Sequence, residues 1–577
     1  MADYDLIVRG GEIHDGLGGA PFIGDVAVKD GRIAAIGTVA GSAREEVDAT
    51  GRIVTPGFVD IHTHFDGQCT WENTLAPSSI HGVTTVVMGN CGVGFAPCKP
   101  EQRELLIEVM EGVEDIPEVV MAEGVPWNWE TFPEYLDALD ARELDIDVCA
   151  QIPHSALRVY VMGERACGDE PPTAQDLAEM RRLVSEAIEA GALGVTTSRN
   201  MIHRTKAGEL APSLHSLTRE LEELARGLAD TGKGVFQMIP RIDGDPREEF
   251  EIIHAVAKAG QRPVSFTLAA IGPLKHEWMK LPGRMDAAKA EGLTIRGQVA
   301  PRPIGVLYGL DLRFHPFSLH PSFQEIEDLP LAEKVAKMRD PEFRRQLLSE
   351  QPEHSNPVSI QFARRGLYSY RLANPPSYEP DPAQRIDRLA AEQHRDAMEY
   401  AYDALLEDEG RRILYCPAGF DHGGIGLTCE LLHDDNTLVG LSDGGAHYGS
   451  ICDSSFPTWY LLRWARDAAP DERIPLPRAI AELTSKTADA VGLGDRGRLV
   501  IGARGDLNVI DLAGLSLQAP IVRRDLPAGA RRLHQLCSGY EVTIKNGVVT
   551  YRNGEPTGAL PGRLVRGAQT VPELVAA

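Results

Sequence analysis

Between residues 175 and 299 the chain repeats one unit: an apolar run at helical spacing, a glycine, then a short β-prone strand. Leu177, Met180, Leu183, Val184, Ala187 and Ile188 lie on one helix face, Gly191 supplies a stop, and 192–197 reads as a strand. Helix 218–230 with Gly232 and strand 235–239 repeats the unit. Helix 246–259 with Gly260 and strand 263–269 does so again, as does helix 284–291 with Gly292 and strand 293–299. Strands spaced by roughly 30 residues are the mark of βα units around a parallel sheet. The expected fold class is therefore α/β, a (β/α)8 TIM-like barrel whose chemistry sits at the C-terminal strand ends. Further strands are expected at 53–61, 83–89, 146–152, 413–417 and 438–442, which makes nine, one more than a barrel uses.

The two ends read differently. Residues 1–55 hold short strands, a turn at Gly10-Gly11 and a hairpin signal at Lys29-Asp30-Gly31-Arg32. Residues 507–511 and 541–551 repeat that style, so a small β-sandwich built from both termini is expected, as 1–55 and 496–577. The barrel then occupies 56–495. Residues 305–412 fit no βα unit, carry Phe314, Phe317, Phe323 and Pro375-Pro376, and include a predicted helix near 383–409. An excursion of that length reads as a lid or an interface.

Composition narrows the partners. A net charge of −26, from 58 basic and 84 acidic residues, argues against nucleic acid or an anionic membrane. Nine unclustered cysteines suit a reducing compartment. No stretch approaches the roughly 20 apolar residues of a membrane span, and Met-Ala-Asp-Tyr-Asp lacks a signal-peptide pattern, so the expected location is cytoplasmic. The partner expected is a small molecule, and a homo-oligomer is compatible with the sequence.

The chemistry concentrates at strand ends. His62 and His64 close the strand at 53–61, and side chains two apart on an extended chain share a face. Two imidazoles side by side are what a divalent metal asks of neighbouring nitrogen ligands. Cys91 ends the next strand among Gly89, Gly92 and Gly94, where a thiolate could bridge or terminate a metal site; the alternative is a small buried cysteine. Asp443 ends a late apolar strand, where a carboxylate can touch the metal and take a proton from water; the alternative is a loop cap. His154 and His203 lie at the expected barrel mouth. His203 with Arg199 could receive a substrate carboxylate, or these could be plain loop charges.

These stretches resemble the metal-dependent amidohydrolase superfamily, and within it the N-acyl-D-amino-acid deacylases (D-aminoacylases). The resemblance rests on 54–64, on Gly89-Asn90-Cys91-Gly92 and its preceding strand, on Glu111-Gly112-Val113-Glu114-Asp115-Ile116-Pro117, on 191–194 and on Ser442-Asp443-Gly444. It implies hydrolysis of the amide of an N-acyl-D-amino acid. It also implies one or two zinc ions held by His62, His64 and Cys91, with Asp443 as a further ligand and the general base and acid. Such deacylases add two histidines from later strands, whereas 264–269 and 295–300 here contain none. The metal is then held by His62, His64, Cys91 and Asp443 alone, or His154 or His203 joins them. A hydantoinase-like cyclic amide hydrolase and a non-catalytic scaffold of the same fold are the rival readings.

Overall fold

The computed structural model describes residues 2–420 and 424–572. Eight parallel strand segments follow one another: β1 (Phe58–Asp60), β2 (Val83–Met88), β3 (Asp147–Ala150, continued by Ile152–Pro153), β4 (Gly194–Ser198), β5 (Val235–Ile239), β6 (Val264–Thr267), β7 (Ile295–Val299) and β8 (Thr437–Val439). Their neighbours in sequence are their neighbours in the sheet. β1 pairs β2 and β2 pairs the first part of β3; a break at Gln151 hands the ladder to Ile152–Pro153, which pairs β4. From β4 the ladder runs on to β8. An isolated parallel bridge, Thr63 to Gly444, links the chain just past β1 to the chain just past β8.

The helices follow the expected rhythm. Ala174–Ala190 ends at Gly191 (φ 119°), and Thr218–Thr231 ends at Gly232 (φ 65°). These left-handed residues let the last turn close without a Cβ clash. The third stop differs: Gly260 stays inside the helix Pro246–Gly260, and Gln261 takes the left-handed position at φ 48°. Every strand is almost wholly buried, as expected of parallel strands covered on both faces.

The ninth predicted strand is the peripheral one. Leu414–Ala418 pairs antiparallel with Ile304–Tyr308 and Tyr370–Arg371, outside the parallel ladder. This small sheet belongs to the insertion, which has its own apolar core of Tyr308, Phe317, Phe323, Met338, Tyr402 and Leu405. The predicted helix at 383–409 is two helices, Ile386–Glu392 and Ala397–Leu405. His394 adopts φ 53°, and Asp396 caps the second helix by accepting from the Met398 and Glu399 amides.

Strands from both chain ends join one nine-stranded sheet, stitched where Ile53–Pro56 pairs antiparallel with Leu507–Ile510. The expected turn at Gly10-Gly11 is absent. Both glycines lie inside the strand Tyr4–Ile13, where the register shifts between Val8 and Gly11, so they mark a bulge. The hairpin at Asp30-Gly31 forms as expected.

A buried charge cluster fastens the terminal sheet to the parallel strands. Asp147, at the start of β3, receives Arg496 Nη1 and Lys545 Nζ, each at 2.7 Å, and Lys545 also meets Asp506 at 2.7 Å. Burial alone would raise the Asp147 carboxyl, but Lys545 and Arg496 outweigh it and hold it down to about 2. A carboxyl depressed in the folded state stabilises above its unfolded value and loses that contribution as pH falls through the folded one. Acid is therefore expected to remove about 2 kcal/mol here between roughly pH 4 and 2. Asp147→Asn, which leaves two buried cations short of a partner, is expected to cost about 3–5 kcal/mol, read as a lowered Tm. An unchanged Tm would show the cluster to be dispensable.

Candidate metal centre

β1 delivers His62 and His64, both essentially inaccessible to solvent. His62 Nδ1 lies 2.9 Å from Gln298 Oε1 on β7, and Gln298 Nε2 donates to Ser265 Oγ on β6 at 2.9 Å. That orientation makes Nδ1 the proton-bearing nitrogen of His62 and leaves Nε2 free to bind, the tautomer control typical of metal-bound histidine.

The turn after β2 aims Cys91 at the same point. Gly89, Cys91 and Gly92 all have positive φ (86°, 57° and 69°). A Cβ on Gly89 would lie 2.3 Å from the Gln151 carbonyl oxygen, and one on Gly92 would lie 2.8 Å from Thr197 Cα. The glycines are thus required by close backbone approach, and Cys91 accepts an unfavourable backbone between them. Asp443 is strained likewise (φ 50°), and its loop is laced to β1 by Asp443 N to His62 O (3.2 Å) and His64 N to Gly444 O (2.7 Å).

The resulting distances describe a coordination shell. Cys91 Sγ is 3.5 Å from His62 Nε2 and 3.6 Å from His64 Nε2. Asp443 Oδ1 is 3.4 Å and 3.7 Å from the same two nitrogens. A tetrahedral zinc with bonds of about 2.1 Å to nitrogen or oxygen and about 2.3 Å to sulfur separates its ligand atoms by about 3.4–3.6 Å. The spacing of His62, His64 and Cys91 therefore suits a divalent cation, and Asp443 lies at the same spacing from the two histidines. His62, His64 and Cys91 are also a group whose ligand atoms lie within 4.8 Å of one another.

Two residues that the sequence reading passed over stand beside them. Glu114, at the end of helix α1 (Arg103–Glu114), places Oε2 3.4 Å from His64 Nε2 and 3.7 Å from His447 Nε2. It is buried, and among the described residues neither of its oxygens has a hydrogen-bond partner. A buried carboxylate without donors is costly, and a cation is the partner that resolves it. His447 lies 4.0 Å from Asp443 Oδ2, so the two carboxylate oxygens of Asp443 face different histidines. Glu114 was within reach of sequence reasoning, since it sits in the matched stretch 111–117; His447 follows Asp443 by four residues, with no pattern to single it out.

The electrostatics follow from burial. Burial, then Glu114 and Asp443, pushes the Cys91 thiol well above its ordinary value. Burial, then Asp443 and Asp66, pushes Glu114 up as well. Burial works against Asp443 too, yet His64, His62 and His447 outweigh it and hold this carboxyl well below the usual range. Cys91 and Glu114 would therefore ionise in these surroundings only around a cation.

The other expected site residues divide. Burial, then the charges of His447 and His64, lowers His203 to about 3, but among the described residues no hydrogen bond or ion pair ties it to the cluster. His154 does not join. Its Nδ1 meets Thr197 Oγ1 and its Nε2 meets Glu220 Oε1, both at 2.8 Å, so both ring nitrogens are taken inside a buried cluster completed by Arg158. Arg199 is likewise engaged, in a two-point pair with Glu249 at 3.0 Å and 3.0 Å. Thr267 and Gln298 stand where the resemblance looked for histidines; Gln298 orients His62, and Thr267 Oγ1 has no partner among the described residues.

Comparison with known proteins supplies the family. An N-acyl-D-glutamate deacylase of Alcaligenes xylosoxydans xylosoxydans is 29% identical over 568 residues, covering 97% of this chain and 96% of that protein. A crystal structure of D-aminoacylase superposes with a TM-score of 0.65 at 23% identity, covering 98% of this chain and all of the other. An N-acyl-D-glutamate deacylase from Bordetella bronchiseptica, solved with zinc and a phosphonate inhibitor, gives 0.63 at 22% identity over 98% and 99% of the two chains. At these identities the two structures speak for a shared fold. The amidohydrolase family profile matches residues 45–551, most of the sequence, and the chain belongs to that family.

Proposed function

We propose that the protein is a zinc-dependent hydrolase of amide C–N bonds whose substrates are N-acyl-D-amino acids. The observation that carries this reading is the convergence of His62, His64 and Cys91 at zinc-ligand spacing, with Asp443 at that spacing from both histidines. The full-length likeness to a D-amino-acid deacylase supports the substrate class. On this reading the eight strands close into a (β/α)8 barrel over about 56–495, interrupted by the insertion at about 305–412. The terminal segments 1–55 and 496–577 form a flanking β-sandwich, in keeping with their separate apolar core.

His62, His64, Cys91 and Asp443 would hold the ion, with Glu114 beside them. A zinc ion held there would supply Lewis-acid polarisation of an amide carbonyl and a water whose pKa is lowered toward about 7. Asp443, kept ionised by its histidine neighbours, takes the proton of the attacking water and delivers it to the leaving nitrogen. Gln298 keeps His62 in one tautomer, and the enclosed surroundings exclude competing water.

Exhaustive chelation is expected to abolish activity on N-acyl-D-amino acids, and added zinc to restore it, with N-acyl-L-amino acids, dipeptides and aryl amides as the comparison panel. Activity indifferent to metal removal would refute the mechanism. Turnover confined to another substrate of the panel would keep the mechanism and change the substrate.

A further inference from the structure

His62, His64 and Cys91 are buried, and the cavity that holds Asp443 and His447 is about 20 Å³, room for about one water. An acyl amino acid cannot reach the metal centre through that cavity unless a wall of it moves. Besides residues of the 443–454 loop, the lining is Pro77, Arg532 and Leu533. Arg532 also lines a second cavity of about 190 Å³, together with Glu72, Thr74, Ala76, Asp525 and His534. The two cavities share this one side chain as their partition.

The element that carries Arg532 is a free-standing ribbon. Ile521–Arg523 pairs antiparallel with Arg532–His534 and, among the described residues, with no other strand. A two-stranded ribbon by itself is at best marginally stable, so its neighbours must hold it. Leu526 and Leu533 are its buried apolar side chains, while Ile521 stays 44% exposed. Other ties are polar. Arg524 and Arg531 pair with Asp311 of the insertion at 2.7 Å and 3.4 Å. The Leu533 amide donates to the carbonyl of Tyr448, one residue past His447, at 2.8 Å. Segments held by few apolar contacts and by charge pairs are those that open locally.

The Arg532 pair is arranged so that it can separate. Nη1 and Nη2 donate to Oε2 and Oε1 of Glu72 at 3.2 Å each, and Nη2 also reaches Asp525 Oδ2 at 3.1 Å. Asp525 lies in the ribbon's own turn and moves with Arg532. Glu72 belongs to the segment after β1 and keeps two donors there, Gln68 Nε2 at 3.0 Å and Thr74 Oγ1 at 3.1 Å. Parting a buried ion pair is most costly when a charge is left without a partner. Here the cation retains Asp525 and the carboxylate retains Gln68 and Thr74. We propose that the ribbon 521–534 is a lid on the metal centre, latched by Arg532 to Glu72, and that ligands pass from the outer cavity to Asp443 and His447 when the latch opens. What the lid admits rests on the hydrolase reading; the lid itself does not.

The test follows hydrogen exchange by mass spectrometry on the zinc-loaded full chain, beside the rate at which EDTA strips the zinc. In the wild type the amides of 521–534 should exchange about tenfold or more faster than those of β5, and faster still with added salt. Glu72→Gln should speed ribbon exchange and zinc loss together by about tenfold, leaving β5 unchanged. A wild-type ribbon that exchanges as slowly as β5 overturns the lid, and that result needs no variant to fold. Zinc loss unaltered in Glu72→Gln, or β5 accelerated as much as the ribbon, overturns the latch. A preparation that takes up no zinc, yet whose ribbon exchanges fast and faster again in Glu72→Gln, upholds the lid and overturns the metal reading instead.

Discussion

Asp443→Asn is expected to lower kcat by about a thousandfold or more while metal content stays near that of the wild type. The asparagine carbonyl can still occupy the position of Oδ1, 3.4 Å from His62 Nε2, but it cannot accept a proton at neutral pH. The expected signature is therefore loss of turnover without loss of zinc, measured by steady-state kinetics beside elemental analysis of the same sample. Turnover at the wild-type rate would dispose of Asp443 as the base. Loss of metal along with activity would make it chiefly a ligand.

Cys91→Ala is expected to act the other way, on the metal first. Second-shell changes alone weaken metal binding by 10- to 100-fold, so loss of a thiolate ligand should exceed about 100-fold and carry activity down with it. Cys91 has two imidazole nitrogens within 3.6 Å, and burial with Glu114 disfavours its ionisation in the absence of a cation. Metal binding must then release the thiol proton, and affinity should fall as pH is lowered. The alanine variant should lose both the tight binding and most of that pH dependence, which competition with a chelator at two pH values measures. Wild-type affinity in Cys91→Ala would return this residue to its bland alternative, a small buried cysteine.

Much of the site could be read before any coordinates, because strand ends were the informative positions. His62 and His64 share a face through the two-residue strand period, and Cys91 and Asp443 each end an apolar run. Glu114 escaped because it ends a helix rather than a strand, and nothing local shows that α1 reaches the loop bearing His447. Arg199 and His154 show the converse. Both look free in sequence, and their partners, Glu249 and Glu220, arrive from helices 50 and 66 residues further on.

What the residues determine by themselves is periodic and local: the helix–glycine–strand rhythm, the paired imidazoles, the glycines that let Cys91 turn inward. The tertiary structure decides pairing over long distances. It sets the strand at 414–418 in the insertion rather than in the parallel ladder, couples Gln298 to His62 across 236 residues, and pairs Arg199 with Glu249. The physical reason is that periodicity follows from backbone geometry within a few residues. Whether a charge is neutralised or a carboxylate orphaned depends on which distant side chain the folded core brings beside it.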